Sequence, residues 1–409
     1  MDFQIINLCE IIKNVIHPNE ECHLQGEVDW SYLVQLSKDH NLLPIFVEGA
    51  SKHLSYISRL EYEGEAKECM VAVVAQIRCT SAFLKLYKSF INAGLMPIVV
   101  KGLICRQLYG DFRDHRPSSD EDILVRACEY EKAKKVLIEN GYVAEVEDVT
   151  KEQLERIQEI SFTHPKDRLH IELHLNPMGR ENDLRAKMSD YFVDVFEDYR
   201  DVEISGVMVR TLNHQDHLLF LILHAFRHFL AGGFGIRQML DILLYYETYE
   251  LEIDSQYLYN VLKTFHAETF LGDMIQLGNS YFGFHLSVMQ TPNCPQELLE
   301  DMIRCGAFGN KTSADRTAER TISFATGNHL RNKKSNSISM IWRAIFPKRV
   351  FLLNISPYLE KRPWLLPVAW VQRWGRFLRR SCNNDGNLAT QSMKLSQRRM
   401  KLLKKYDLV

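Results

Sequence analysis

Three carboxylates and one lysine have the types and spacing for chemistry on a charged substrate. Asp120 and Asp122 open the segment DEDILV (120–125), whose composition predicts a strand. Faces alternate along a strand, so both aspartates project to one side while Glu121 and Ile123 project to the other. Two carboxylates one strand pitch apart can converge on a hard cation. The segment RLHIELHL (168–175) offers a third: Leu169, Ile171, Leu173 and Leu175 alternate with His170, Glu172 and His174, which places Glu172 on a polar face between two imidazoles. Asp120, Asp122 and Glu172 would form an oxygen site for one or two magnesium ions, with positions left for substrate phosphates; His174 and Asp167 are the alternatives for the third position. Metal-assisted phosphoryl or nucleotidyl transfer needs such a site. Lys101 directly follows an apolar run, and Gly102 lets backbone approach a phosphate at the start of the next helical stretch. Arg113 and Arg116, on the loop before the acidic pair, are spaced to clamp the same anion.

Those residues need a sheet to hold them. Met96–Val100 (MPIVV) predicts a buried strand, followed by a helical stretch LICRQLY, a polar segment GDFRDHRPSS, and the strand of the acidic pair. A charged helix over Glu129–Asn140 stops at Gly141, YVAEV predicts a third strand, and ISFTH with RLHIELHL add two more after a helix near Lys151–Gln158. EISG, between two short runs, predicts a hairpin around Val202–Val209. Before this core, Asp29 is placed to cap a helix, and a long helical pattern over about 66–92 ends at Gly94. After it, Asn213–Leu230 and Ile236–Tyr249 are apolar on more than one side and predict the centre of a helical domain. The expected class is α+β: a small mixed β-sheet core flanked by N-terminal and C-terminal helical regions. The expected divisions are a helical region 1–94, the α/β core 95–212, a helical domain 213–330 and a basic, Trp-rich segment 331–409.

His224 and His228 are four residues apart on one helix face, but no Glu follows His224, so the zinc-protease pattern is absent. Both read as structural histidines or, with His174, as residues on the acceptor side of the cleft. Arg237 and Asp241 have the spacing of an internal ion pair. GGFG (232–235) lies between two helices and lacks a following Lys-Ser/Thr, so it predicts a turn rather than a phosphate cradle.

The stretch MPIVVKGLICRQLYGDFRDHRPSSDEDILV resembles the signature of an uncharacterised bacterial nucleotidyltransferase family, a branch of the DNA polymerase β-like superfamily. The matching positions are Lys101, Gly102, Tyr109, Arg116, Asp120 and Asp122; HIELHL, with its Glu and His, and the segment carrying His224, His228, Arg237 and Asp241 extend the likeness over roughly 29–246. The resemblance implies a nucleotidyltransferase core in which three carboxylates hold two magnesium ions. A nucleoside monophosphate would pass from a triphosphate such as ATP to an acceptor of unidentified chemistry. Two departures are visible: Lys-Gly stands where the superfamily usually has Gly-Ser, and Glu121 stands between the acids where an apolar residue is usual. A non-catalytic nucleotide-binding or scaffold protein at a membrane, and a phosphotransferase using the same site, are the alternatives.

Composition bounds the rest. The chain has 409 residues, 46% of them hydrophobic and 25% charged, which excludes global disorder. Its net charge of −2 hides two unlike parts: residues 331–409 carry 18 Lys and Arg against 3 Asp and Glu, leaving 32 against 49 in residues 1–330. The nine cysteines are scattered without a CxxC pair, and the N-terminus lacks a cationic leader, so a reduced, cytoplasmic setting is expected. Apolar runs such as Leu218–Leu223 and Trp364–Val371 fall short of the ~20 residues that a spanning helix needs. The Trp and Arg residues over 364–380 suit peripheral contact with an anionic membrane or packing on the acidic body, with RNA ranked behind both.

Overall fold

The structure, a computed structural model, describes residues 2–306 except 57–58, 119, 147–148, 167–168, 181 and 289–290, and further along 346, 349–352, 356, 358–383 and 388–408. It falls into two compact units, one comprising 1–226 with 234–307 and the other 227–233 with 308–409.

In the first unit the chain begins with helices α1 (Phe3–Ile16), α2 (Trp30–Asp39), α3 (Leu43–Ala50) and α4 (Arg59–Asn92). Each of the first two starts at an aspartate whose side chain accepts a backbone N–H that the helix itself leaves unpaired: Asp2 from Gln4 and Asp29 from Tyr32, both at 3.0 Å. Helix α4 runs further back than the sequence pattern, and its two halves differ. Phe83, Leu84, Leu86, Tyr87 and Phe90 are buried, whereas Met70, Val71, Val74 and Ile77 are exposed. By length and composition alone, 61–92 passes as an apolar span, with a mean hydropathy of 1.5 over its best window, which corrects the expectation that no stretch would. Gly94, at φ 69°, ends α4, and its left-handed backbone lets Leu95 N–H return to the Phe90 carbonyl.

Seven strands then form one mixed sheet, ordered β3-β4-β5-β2-β1-β7-β6: β1 Ile98–Val100, β2 Asp120–Leu124, β3 Val143–Ala144, β4 Glu159–Thr163, β5 His170–His174, β6 Tyr199–Ile204 and β7 Val207–Leu212. β1 is wholly apolar and wholly buried, as its central position requires. It pairs antiparallel with β2 (Val100 opposite Asp122) and parallel with β7. β2 runs parallel to β5, with Asp120 beside His170 and Asp122 beside Glu172. β4 lies antiparallel on the far side of β5, Ser161 opposite Glu172 and Glu159 opposite His174. The β6–β7 hairpin turns at Ser205-Gly206, both at positive φ, the backbone a two-residue hairpin turn demands.

Short helices α5 (Gly102–Arg106), α6 (Tyr130–Glu139), α7 (Lys151–Leu154) and α8 (Asp183–Ser189) connect the strands. α7 is shorter than the sequence predicts. The unit continues in helix α9 (His214–Ala231), whose residues from Arg227 on are counted in the second unit, and in α10 (Ile236–Thr248), α11 (Ser255–Thr264), α12 (Glu268–Tyr281) and α13 (Pro295–Cys305). Leu218–Leu223 of α9 and almost every residue of α10 are buried, as expected of helices apolar on several sides. Tyr87 locks α4 to the sheet: its hydroxyl donates to the Pro97 carbonyl and accepts the Arg210 N–H, at 3.0 and 2.9 Å.

The second unit contains helices Leu366–Asn383 and Leu388–Lys405. Leu352, Leu359 and Ala369 form a small apolar nucleus of their own, joined by Tyr358, Leu365, Leu366 and Trp370. Phe346 sets its ring edge-on against both Trp370 and Trp374. Trp364, Val368 and Val371 remain exposed.

Candidate active site

Strand alternation puts Asp120, Asp122, Glu172, His174 and Glu159 on one face of the sheet, through the registers just given. Asp122 is its centre. Its Oδ1 lies 2.6 Å from Lys101 Nζ and 2.8 Å from His174 Nε2, and the aspartate is buried. His174 Nε2 is also 3.6 Å from both Glu172 Oε2 and Glu159 Oε2. Among the described residues, Asp122, Glu172 and His174 present ligand atoms all within 4.8 Å of one another, a spacing that can hold a metal ion. The two carboxylates fit a hard divalent cation, and His174 Nδ1 is buried without a hydrogen-bond partner among the described residues. Asp120 lies two residues up the same face, partly exposed, and its charge acts on Lys101.

Each charge here sets the protonation of its neighbours. Burial alone would raise the Asp122 carboxyl, but the Lys101 ammonium and then the His174 bond outweigh it and hold Asp122 well below the usual carboxylate range. Burial would lower His174; its bond to Asp122 and the nearby Glu172 carboxylate push it up to about 9, so the ring is an imidazolium at neutral pH. Burial raises Glu172, with His174 opposing. Burial would also lower Lys101, but Asp122 and then Glu172 and Asp120 raise it, so the lysine stays charged.

Lys101 reaches Asp122 from an uncommon backbone. It sits at φ 55°, ψ −123°, where a side chain is strained, and it immediately precedes α5. A chain of hydrogen bonds holds it there. Lys101 N–H donates to His217 Nε2 at 3.4 Å, His217 Nδ1 lies 3.3 Å from Thr211 Oγ1, and that hydroxyl donates to the Val99 carbonyl at 2.7 Å. Burial, with Arg200 and His214 adding to it, drives His217 well below its ordinary pKa, so the ring is neutral, accepting at one nitrogen and donating at the other. His224 Nε2 lies 3.5 Å from Lys101 Nζ.

Glu121 turns the other way, as alternation predicts. Its carboxylate accepts the Leu103 N–H at 2.9 Å at the start of α5 and pairs with Arg106 Nη2 at 2.5 Å, both side chains about 1% exposed. Gly102 is required by this packing: a Cβ there would collide with the Glu121 carboxylate and stand 3.2 Å from the Asp120 carbonyl oxygen.

Several sequence expectations find other places. Arg116 does not face the carboxylates; its guanidinium grips Asp241 at 3.0 and 2.5 Å, and Tyr109 donates to the same carboxylate at 2.9 Å. Asp241 is therefore not the partner of Arg237, whose Nη1 donates to the Pro117 carbonyl instead. Both bonds fasten the loop before β2 onto α10, which is how they position the acidic pair. Arg113, which follows a positive-φ kink at Gly110, lines a groove with Lys85, Lys88 and Arg106 rather than the carboxylate cluster. His174, expected on the acceptor side, lies buried against Asp122. His228 follows one turn beyond His224 near the end of α9. Two residues escaped the sequence reading: His217 and Glu159. The polar alternation of EISFT (159–163) carried the signal for Glu159, since it repeats the pattern of β5; nothing local marks His217 as the support of Lys101.

A family model described as an uncharacterised nucleotidyltransferase matches residues 26–283, spanning the sheet and the helices from α2 to α12. No curated protein and no solved structure matches the chain. With well over half of its length inside that match, including every side chain of the cluster, the chain belongs to the uncharacterised nucleotidyltransferase family.

Proposed function

We propose that the chain is a magnesium-dependent nucleotidyltransferase, moving a nucleoside monophosphate from a nucleoside triphosphate to a hydroxyl acceptor. The observation that carries this reading is the convergence of Asp122, Glu172 and His174 within 4.8 Å beside the ammonium of Lys101. Asp122 and Glu172, with Asp120 on the same face, would hold two ions; when bound, they would supply charge neutralisation on the triphosphate. Lys101 adds a fixed positive charge for the phosphates, and His174 holds Asp122 in place. The acceptor oxygen bonds to the α-phosphorus as the bond to the bridging oxygen breaks. Pyrophosphate departs, and the hydroxyl proton passes to Glu172. Most of the rate would come from positioning and preorganised charge.

Incubating the chain with magnesium and triphosphates labelled at either the α or the γ position tests this. Transfer of α-label to an acceptor or to the protein, with release of pyrophosphate, is expected. Transfer of γ-label would make the chain a phosphotransferase, and nucleotide binding without transfer of either label would make it a non-catalytic binding protein.

A cytoplasmic enzyme whose basic C-terminal segment touches an anionic bilayer is the proposed location, supported by exposed Trp364, Val368 and Val371 on a segment rich in arginine. Wild type should co-sediment with anionic vesicles more than Trp364→Asp/Val371→Asp; equal sedimentation removes the membrane contact.

A further inference from the structure

The groove that takes Arg113 lies apart from the carboxylate cluster. It is bounded by α4, by the 3-10 segment Gln107–His115 and by the β6–β7 turn, and has a volume of about 640 Å³. Its walls carry four cations, Lys85, Lys88, Arg106 and Arg113, against the single carboxylate of Asp114. Thr80, Ser81, Gln107 and Ser205 add neutral hydrogen-bonding groups. Lys85, Lys88 and Arg113 are exposed and form no ion pair among the described residues.

Arg106 is the decisive member. It is 1% exposed, and Nη2 is spent on Glu121, but Nη1 is buried without a hydrogen-bond partner among the described residues. An unpaired guanidinium nitrogen at such a site costs free energy until an acceptor arrives. The groove is of ordinary small-molecule size, and no aromatic side chain lines it, so it offers phosphate recognition without base stacking. Since Arg106 pairs with Glu121, which points away from Asp122, the groove belongs to the α5 side of the sheet.

We propose that this groove is a second anion site that binds a small phosphate-bearing molecule, with Arg106 Nη1 and the Arg113 fork receiving phosphate oxygens and Lys85 and Lys88 supplying charge at the rim. Two sources share this chemistry: pyrophosphate released by transfer, or a phosphorylated metabolite carrying one phosphate. The site does not depend on the proposed reaction, because binding is read without turnover.

Calorimetric titration of the full chain with pyrophosphate and, separately, inorganic phosphate tests it. Binding below about 1 mM is expected for at least one probe. Preference for pyrophosphate identifies the reaction product as the source, and comparable binding of inorganic phosphate identifies a monophosphate. Lys101→Ala, on the other face, should leave this binding in place. Lys85→Glu/Lys88→Glu, at exposed helix positions where folding is not at stake, should weaken it about tenfold or more. The proposal is overturned if neither probe binds, if binding is lost in Lys101→Ala, or if it is unchanged in Lys85→Glu/Lys88→Glu.

Discussion

Glu121 and Asp122 are consecutive on β2, both buried and both paired with a cation, yet their surroundings do opposite things. The Glu121 carboxylate is answered by one guanidinium and one backbone N–H, a closed arrangement that joins β2 to α5. Asp122 shares its oxygen between Lys101 and His174, and that imidazole is in turn shared with Glu172 and Glu159. Negative groups outnumber positive ones there, which suits an additional cation. Pairing alone does not separate a structural carboxylate from a chemical one; the balance of charge around the pair does.

The largest expected contrast comes from neutralising each acid in turn. Asp122→Asn should lower α-label transfer by about 10²–10³-fold while the chain remains folded. Glu121→Gln should do the reverse, costing about 3–5 kcal/mol in urea unfolding because buried Arg106 loses its counter-charge, with transfer by the folded fraction changed little. If Glu121→Gln removes transfer and leaves stability intact, the two faces have been assigned the wrong way round. A smaller effect is expected at Gly102→Ala, which forces the Glu121 carboxylate aside. A stability loss of about 1–3 kcal/mol is expected by thermal or urea unfolding, together with weaker nucleotide binding as Lys101 shifts. Unaltered unfolding would show that the contact between Gly102 and Glu121 is slack.

The smallest effect sharpens a parallel contrast among histidines. His174 is held charged beneath the carboxylates, whereas burial and then Arg200 hold His214 down to about 4, and His217 is also held neutral. Unfolded histidine titrates near 6.5, so between about 6.5 and 4 the folded chain binds fewer protons at these two positions than the unfolded one does. Their contribution to stability is therefore complete above 6.5 and is lost as pH falls toward 4. The urea midpoint should drop from about pH 7 to about pH 5, and less steeply in His214→Gln. Superimposable profiles for the two proteins would contradict the assignment.

Much of this was legible in the sequence where a periodicity carried it. Alternation in DEDILV and HIELHL separates Glu121 from Asp122 and puts Asp122 and Glu172 on polar faces; the parallel register then brings those faces together. Partners set by tertiary packing were not legible. Arg237 and Asp241 have helical spacing, but a buried arginine with a fixed fork, Arg116, satisfies Asp241 better than a neighbour on the same helix. Arg113 is close to Asp120 in sequence, yet the segment between Arg106 and the acidic pair leaves helical backbone at Gly110 and Phe112, and Arg113 lines the groove instead. His217 stands more than a hundred residues from the lysine it supports, and only the meeting of β7, α9 and β1 makes it visible.

Manganese binding in the presence of a non-hydrolysable nucleoside triphosphate, followed by the loss of the free-ion paramagnetic resonance signal, puts the central claim to its most direct test. Wild type and the folded fraction of Glu121→Gln should take up manganese, while Asp122→Asn and Glu172→Gln should bind it far more weakly. Uptake unchanged in Asp122→Asn would contradict the assignment of this sheet face as the metal and nucleotide site.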